Sequence, residues 1–277
     1  MALAKTLTIA GTDVSGGAGI AADLKTFQEH ETYGYSVLTT VVSMDPNTWS
    51  HRVSPIPVAD VKNQLETALS LNPDVIKTGM LPSEEVVELS KEAFLNSNAK
   101  HFVVDPVMVC KGYDEVLNPG LVESMIENLI PNATVVTPNL VEAGHLAGIK
   151  TPRTLEEIKE AARLIHQKGA NNVVVKGGTG IEGDNAIDVF YDGQEMHLLE
   201  SPKFDSSYNH GAGCTFAAAT AANLANGKSP LEAVQDAKAF VTSAIKNGWK
   251  MNEHVGVVRH GAYNSVEKIE VLDKVLN

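Results

Sequence analysis

The chain has 277 residues, of which 43% are hydrophobic and 20% charged, and its formal net charge is −12 at pH 7. This acidic surplus argues against nucleic acid or an anionic membrane as a partner, so an anionic substrate would need local positive potential. Two cysteines cannot build a disulfide framework, and no membrane-spanning run or signal peptide is predicted, so we expect a cytoplasmic protein.

Short apolar runs rich in β-branched residues predict the strands. In chain order they cover 7–11, 36–44, 74–80, 101–109, 133–139 and 171–178. The runs are nearly continuous rather than alternating, which is typical of strands covered on both faces in a parallel sheet. We therefore expect the interior of an α/β protein.

Helical patterns alternate with these runs. They cover 18–30, 58–71, 83–97, 154–169, 214–227 and 229–248. A different pattern at 187–201 has two strand-like runs joined by Asp192–Gly193, which predicts a hairpin at an antiparallel edge. The alternation predicts one doubly wound, mostly parallel α/β domain over residues 1–277, with ligands beyond the carboxyl ends of its strands.

Two aspartates lie where predicted strands end. Asp13 is at the tip of the glycine-rich stretch GTDVSGGAGI, whose amides would open at a helix N-terminus; a tight turn is the plain alternative. Asp105, in VVDPVMVCKG, ends an apolar run and needs a cation or metal as its partner, unless it simply caps a turn.

Two further motifs carry oxygen ligands and a cation. In TPNLVEA, Asn139 and Glu142 have the spacing of a capping box, and a carboxylate facing Mg²⁺ through water is the functional alternative. In VVVKGGTG, Lys176 is placed to meet a nucleotide phosphate, although a solvated lysine is the simpler interpretation.

The stretch HGAGCTFAAATAANLANG joins a glycine loop to an alanine-rich helix. Consecutive amides at that helix N-terminus predict an anion hole. Cys214 lies at its mouth, where the helix dipole should lower the pKa of the thiol and leave it partly as thiolate.

Taken in order, the five motifs resemble the ribokinase-like superfamily from Gly11 to about Gly248. The stretches GTDVSGGAGIAADLKTF, DPVMVCKG, TPNLVEA and HGAGCTF resemble its hydroxymethylpyrimidine kinase branch and the related pyridoxal kinases. This resemblance implies a kinase that uses ATP and Mg²⁺, with a monovalent cation left open. It also implies a homodimer. The loop at about 108–118 is a candidate lid, because excluding water would protect ATP from hydrolysis.

The resemblance also assigns roles to residues. Asp105 and Glu142 lie near Mg²⁺. The ATP and anion-hole residues are Asn139, Lys176, Gly177, Gly178, Thr179, Gly180, Gly211, Ala212, Gly213, Lys238 and Val241. The substrate-pocket residues are Asp13, Ser15, Met44, His51, Met80 and Val107. Cys214 takes the place of the aspartate base that is usual in the superfamily, and His210 tunes it or relays its proton.

Two departures from the pyrimidine kinases favour pyridoxal as the substrate. Met44, in VVSMDPNTWSHRV, replaces an expected pyrimidine-binding amide, and His51 could then contact a pyridine ring. Cys110 could add to the aldehyde of pyridoxal as a hemithioacetal, although a lone cysteine is more often a buried hydrophobe.

We therefore predict phosphorylation of the 5'-hydroxyl of pyridoxal, and also of pyridoxine and pyridoxamine. The alternatives are a hydroxymethylpyrimidine (phosphate) kinase of thiamine biosynthesis and a vitamer-binding protein without catalysis. Damage to Cys214, Glu142 or the glycine loop would indicate the latter, and the sequence shows none.

Overall fold

The structure is a computed structural model that describes residues 2–108, 119–204 and 206–276. Its strands are β1 (Lys5–Asp13), β2 (Tyr33–Met44), β3 (His51–Pro55), β4 (Val75–Thr78), β5 (His101–Val104), β6 (Val135–Val136), β7 (Val173–Gly178), β8 (Asn185–Tyr191), β9 (Met196–Pro202), β10 (Trp249–Lys250), β11 (Gly256–Val257) and β12 (Leu272–Leu276).

The helices alternate with these strands over much of the chain. They are α1 (Gly19–Glu29), α2 (Val58–Ser70), α3 (Glu84–Leu95), α4 (Pro119–Asn128), α5 (Leu140–Ala147), α6 (Leu155–Gln167), α7 (Ala212–Ala225), α8 (Pro230–Lys246) and α9 (Ala262–Ser265), with a 3-10 turn at Ile130–Asn132. None of the helices in the described ranges is long and apolar enough to cross a membrane.

Ten strands form one sheet in the order β12-β9-β8-β7-β6-β5-β4-β1-β2-β3. The six central strands from β7 to β2 pair in parallel, whereas β3 at one end and β8, β9 and β12 at the other pair antiparallel. A separate two-stranded antiparallel sheet joins β10 to β11. The predicted doubly wound, mostly parallel α/β fold is confirmed.

Three details of the sheet differ from the sequence-based prediction. The run 101–109 predicts a longer strand than β5, which ends at Val104 because the chain turns there, with the Val107 amide donating to the Asp105 carbonyl at 2.9 Å. The hairpin is β8–β9, but β12 pairs outside it. The polar segment of β3 also forms an edge strand that the apolar pattern did not predict.

The central strands bury side chains on both faces, as their continuous apolar runs predict. On β5, Val103 packs in a cluster with α7 and α8, whereas Val104 packs with the residues of α2 to α6 on the opposite face. Helix α7 is lined with fully buried alanines, and these small side chains allow it to approach the sheet closely. This packing places the N-terminus of α7 at the carboxyl ends of β1, β4, β5 and β7.

Candidate active site

One large cavity, of about 990 Å³, opens at the carboxyl ends of the parallel strands. It is the place where an open α/β sheet binds ligands, because loops after neighbouring strands diverge there. The predicted site residues that line it are Asp13, His51, Met80, Asp105, Val107, Asn139, Glu142, Lys176, Gly178, Thr179, His210, Gly211, Ala212, Gly213, Cys214, Lys238 and Val241.

Four predicted residues do not line this cavity. Gly177 lies near the end of β7 and Gly180 in the turn that follows, both beside lining residues, and Met44 pairs with His51 at the end of β2. Ser15 supports the site indirectly, because its hydroxyl and its amide both donate to Asp13 at 2.8 Å. Cys110 and most of the predicted lid at 108–118 lie outside the described residues.

Asp13 ends β1 and is bound to a residue from the far end of the chain. Its Oδ2 lies 2.5 Å from His210 Nε2 and also accepts from the Ala18 amide at 3.2 Å. Although burial works to raise it, hydrogen bonds from His210 and Ser15 lower the pKa of Asp13. Asp13 is therefore held as a carboxylate in the cavity wall. The Nε2 of His210 meets Asp13, so the predicted relay between His210 and Cys214 stays a hypothesis.

The backbone around His210 is tied to β11 and to the first glycine loop. Its amide donates to the Gly256 carbonyl at 3.1 Å, and its carbonyl accepts from the Val258 amide at 3.3 Å. The next residue, Gly211, has a φ of 85°, and a Cβ there would lie 1.8 Å from the Gly17 carbonyl oxygen. Only glycine fits this close approach of two backbones.

Asp105, Lys176 and Glu142 form a buried charge cluster. Lys176 Nζ lies 3.3 Å from Asp105 Oδ1, and Asp105 also accepts from Thr137 Oγ1 at 3.3 Å. A Cβ on Gly213 would lie 3.5 Å from Lys176 Nζ, so this ammonium reaches the start of α7. The structure thus brings together the predicted cation and the predicted anion hole.

Glu142 fulfils the capping box of α5. It accepts from the Asn139 amide at 2.8 Å, while Asn139 Oδ1 accepts from the Glu142 amide at 3.0 Å. Burial raises the pKa of Glu142 to about 7 against the opposing effect of Lys176, and the nearby Asp105 carboxylate adds to the rise. Capping does not exclude a second role, because Glu142 also lines the cavity.

The same cluster fits a divalent cation. Two carboxyl groups share one ammonium, so a cation beside them would offset the remaining negative charge and the cost of its burial. Hard cations such as Mg²⁺ take oxygen ligands, commonly one or two carboxylates together with water and substrate phosphates. Within the described ranges, no group of three or more His, Cys, Asp or Glu side chains could hold a metal. Asp105 and Glu142 are thus suited to an ion whose remaining ligands are water and substrate phosphates rather than further protein side chains.

Cys214 is the third residue of α7, within its first turn, and is only partly exposed. Burial raises the pKa of its thiol to about 11, Lys77 opposes the rise, and the carboxylates of Asp105 and Asp23 add to it. The expectation of a lowered pKa and a partly formed thiolate is therefore wrong for this structure. The loss of water and the neighbouring carboxylates outweigh the helix N-terminus.

Besides Asp105 and Lys176, two more buried lysine–aspartate pairs border the cavity, and their aspartates and Lys77 were not predicted from the sequence. Lys77 on β4 pairs with Asp23 on α1. Lys238 on α8 pairs with Asp188 on β8 at 2.8 Å, and Asp188 also accepts from the Gly178 amide at 3.2 Å. Lys238 was expected among the ATP-binding residues; its ammonium pairs with Asp188, which also holds Gly178 at the end of β7, and the ATP-binding role stays a prediction.

The sequence profile of the phosphomethylpyrimidine kinase family matches residues 13–259. A pyridoxine kinase of Bacillus subtilis (strain 168) is 48% identical over 264 residues, which cover 95% of this chain and 97% of that protein. A hydroxymethylpyrimidine/phosphomethylpyrimidine kinase of the same organism is 37% identical over 265 residues, with the same coverage of 95% and 97%.

Solved structures extend the similarity to the whole chain. The structure of the pyridoxal kinase from Staphylococcus aureus in complex with ADP is 59% identical and has a TM-score of 0.97. The structure of the same kinase in complex with pyridoxal is 58% identical and has a TM-score of 0.96. Each comparison covers 100% of both chains.

Proposed function

The chain belongs to the phosphomethylpyrimidine kinase family, and from that premise we propose that it phosphorylates the 5'-hydroxyl of pyridoxal with ATP. The family resemblance predicted from the sequence is confirmed by the profile match. The 48% identity to a pyridoxine kinase, against 37% to a pyrimidine kinase of the same organism, favours vitamin B6 as the substrate class. Pyridoxine and pyridoxamine carry the same hydroxymethyl group and are further acceptors.

One observation carries the mechanism. Cys214, the glycine amides that precede it and the Asp105–Lys176 pair all face a single cavity. An acceptor hydroxyl placed at Cys214 would therefore lie within reach of a phosphate held by Lys176 and the start of α7. Phosphoryl transfer requires chiefly this alignment, together with neutralisation of charge and deprotonation of the acceptor.

In this mechanism Cys214 is the general base. The thiolate form of Cys214, which its raised pKa makes a minor species at neutral pH, takes the proton of the 5'-hydroxyl while that oxygen bonds to the γ-phosphorus of ATP. The bond from the γ-phosphorus to the β-phosphate oxygen breaks to release ADP. The amides of Gly211, Ala212 and Gly213 donate to the oxygens on which charge develops. Lys176 neutralises phosphate charge, and the turn from Gly177 to Gly180 surrounds the phosphate end of ATP.

Asp105 and Glu142 would hold Mg²⁺ together with the phosphates and water. When bound, the ion supplies charge neutralisation on the transferring group. On the acceptor side, a hydrogen bond to His210 holds Asp13 in place. His51, Met80 and Val107 line the pocket for the vitamer ring.

Cys110 is proposed from the sequence alone as the aldehyde trap. Its thiolate sulfur would add to the aldehyde carbon of pyridoxal, and the aldehyde oxygen would take up a proton to give a hemithioacetal. The reaction reverses by the same steps, so no oxidant or further reactant is needed. The Cys110→Ala variant should therefore change the KM for pyridoxal and leave that for pyridoxine, which has no aldehyde.

Three finer points remain part of the proposal. We place the enzyme in the cytoplasm, where both thiols stay reduced. We propose a homodimer of single-domain chains with a lid at about 108–118, and analytical ultracentrifugation tests its mass. Activity measured in potassium and in tetramethylammonium buffers tests the monovalent cation.

The substrate is tested by ADP release with Mg-ATP and either pyridoxal or hydroxymethylpyrimidine at matched concentrations. A strong preference for pyridoxal is expected. A preference for the pyrimidine would reject the B6 assignment while keeping the kinase mechanism, and no turnover of either would favour a vitamer-binding protein without catalysis.

The base is tested by two substitutions that differ in one property. Cys214→Ala should lower kcat by about 10²–10⁴-fold, the range typical of a lost general base. Cys214→Ser keeps the shape but not the acidity of the thiol, and it should lose a similar factor. A near-normal rate in either variant would remove Cys214 from this role.

A further inference from the structure

Lys77 is a charged residue inside the core that the mechanism above does not use. Its side chain is 0% exposed, and its Nζ lies 2.8 and 2.9 Å from the two carboxylate oxygens of Asp23, which is also 0% exposed. The Thr8 hydroxyl donates to Asp23 Oδ2 at 2.6 Å. Burial works to raise the pKa of Asp23, but three short donor contacts require a carboxylate acceptor, so we treat the pair as ionised.

The pair lies at the inner end of the candidate active site. Lys77 precedes the end of β4 and lines the same cavity as Cys214. A Cβ built on Gly79 would lie 3.2 Å from Lys77 Nζ, so glycine leaves room above the ammonium. The Gly19 amide, four residues before Asp23 on α1, donates to the sulfur of Cys214. The ammonium, its carboxylate partner and the thiol are thus clustered where β4, α1 and α7 meet.

An ion pair with only a structural role would be energetically unfavourable at this buried position. Removing two charges from water costs several kcal/mol per ion, and well-packed apolar residues in their place are often as stable or more so. Asp23 accepts from Thr8 as well as from Lys77, whereas Asp23 is the one acceptor seen for the Lys77 ammonium among the described residues, and Lys77 also lines the cavity. Because Asp23 is shared between two donors, it does not fully neutralise Lys77, and part of the lysine charge acts on the active site.

We propose that Lys77 is a positioning residue for phosphoryl transfer. Its ammonium stabilises negative charge on the sulfur of Cys214, and Asp23 partly neutralises the positive charge of that ammonium. This inference rests on the proposed function, in which Cys214 takes up a proton from the substrate. Burial raises the pKa of the Cys214 thiol, and Lys77 supplies, from inside the fold, a fixed cation that opposes this rise.

Four charged groups face Cys214 from the packed elements. Lys77 on β4 and Lys176 on β7 are cations, whereas Asp105 after β5 and Asp23 on α1 are anions. Lys77 lowers the pKa of Cys214, and Asp105 and Asp23 raise it. Removing the two members of one ion pair should therefore shift the same thiol in opposite directions. A structural role would instead give two variants that loosen the site alike.

The experiment uses full-length protein in a Cys110→Ala background, in which Cys214 is the only remaining thiol of the two in the sequence. The rate of alkylation of Cys214 by iodoacetamide is followed by mass spectrometry as a function of pH. Lys77→Met and Asp23→Asn keep nearly the shape of each side chain and remove its charge. At a fixed pH below the midpoint, each unit of pKa changes the thiolate fraction about tenfold.

Lys77→Met should slow alkylation at pH 9 by about tenfold or more, and Asp23→Asn should accelerate it by a comparable factor. The limb of the kcat profile that rises with pH reports deprotonation of the base, and in the Cys110-containing enzyme it should move to higher pH in Lys77→Met and to lower pH in Asp23→Asn. If Lys77→Met does not fold, Asp23→Asn alone decides: an unchanged or slower alkylation in that variant overturns the proposal. Shifts of the same sign in both variants overturn it as well.

The control Cys214→Ala separates this inference from the proposed function. If Cys214→Ala lowers kcat but the two charge variants show no opposite shifts, Lys77 has no positioning role and the base assignment stands. If Cys214→Ala turns over normally, the base assignment fails and the catalytic role of Lys77 fails with it, whatever the alkylation rates.

Discussion

Two buried lysine–aspartate pairs border the same cavity, one from each half of the sheet, and their aspartates accept from different additional donors. Lys77–Asp23 belongs to the parallel half of the sheet, and Lys238–Asp188 belongs to the antiparallel half; both have a shortest N–O distance of 2.8 Å. The first pair is completed by the Thr8 hydroxyl, and the second by the Gly178 amide. Asp23 is therefore bound to a second side chain of the core, whereas Asp188 is bound to a backbone amide at the end of β7.

The contrast indicates that the effect of each ion pair depends on the other hydrogen bonds that its aspartate accepts. Asp188 uses its second oxygen to hold Gly178 at the end of β7, in the part of the cavity where we propose that ATP binds, so its effect should be geometric. Asp23 is already satisfied within the core, so the effect of its partner on the cavity should be electrostatic. The predictions below test this division.

The largest effect is expected from Lys238→Met. It leaves the Asp188 carboxylate buried without its cation, which should cost about 3–5 kcal/mol of unfolding free energy. Because Asp188 also holds Gly178, the KM for ATP should rise while that for pyridoxal stays unchanged. Urea unfolding and steady-state kinetics measure the two effects.

The matched control is the double variant Lys238→Met with Asp188→Asn, whose amide oxygen can still accept from Gly178. It should recover most of the stability and much of the ATP affinity. A double variant no more stable than the single one would mean that the cost does not come from an unpaired charge.

A smaller effect is expected from acid, through His30 at the end of α1. Its ring lies 4.6 Å from that of Phe240 on α8, so it lies between the helices that carry Asp23 and Lys238. Burial lowers the pKa of His30 to about 4 from its usual 6.5. The unfolded chain therefore binds the proton more readily between these two values, so stability is complete above pH 6.5 and falls as the pH approaches 4.

For this one histidine the loss at pH 4 should be about 2–3 kcal/mol relative to pH 7. His30→Phe keeps an aromatic ring without the titration, and it should lose correspondingly less stability on acidification, as measured by urea unfolding at the two pH values. An identical acid slope in wild type and His30→Phe would contradict this account. The same difference should appear in the Lys238→Met background, because the titration is independent of either ion pair.

The smallest effect compares two threonines, one beside each pair. Thr8→Val removes a donor from the buried Asp23 carboxylate and should cost about 1.5–3 kcal/mol. Thr242→Val removes bonds only to neutral partners, the Ser201 hydroxyl at 3.1 Å and the Lys238 carbonyl at 2.7 Å, and should cost about 1 kcal/mol. Equal losses in urea unfolding would indicate that Asp23 is not ionised.

The sequence predicts the parallel core well because its strands are buried on both faces and read as continuous apolar runs. It does not predict β3 or β12, whose exposed residues carry no such run and which pair only because an edge is available. The strand-end positions of Asp13, Asp105 and Lys176 follow from the same runs. Their convergence on one cavity follows from parallel topology.

Two features of the site could not be predicted from local pattern. Lys77 is one polar residue within an apolar run, and its partner Asp23 lies 54 residues away, so nothing nearby identifies the pair. The pKa of Cys214 depends on burial and on three carboxyl and ammonium groups from other elements, whereas the sequence indicates only the helix N-terminus. Both features depend on electrostatic interactions between residues that are far apart in the sequence and close together only in the folded protein.

The contact between Gly211 and the first glycine loop has a consequence for synthesis on the ribosome. Asp13 emerges 197 residues before its partner His210, which is itself held by the later residues Gly256 and Val258. This wall of the site is therefore completed only after Val258 has left the exit tunnel. A nascent chain that has formed its parallel strands but has not yet exposed Gly256 and Val258 still lacks the backbone partners of His210.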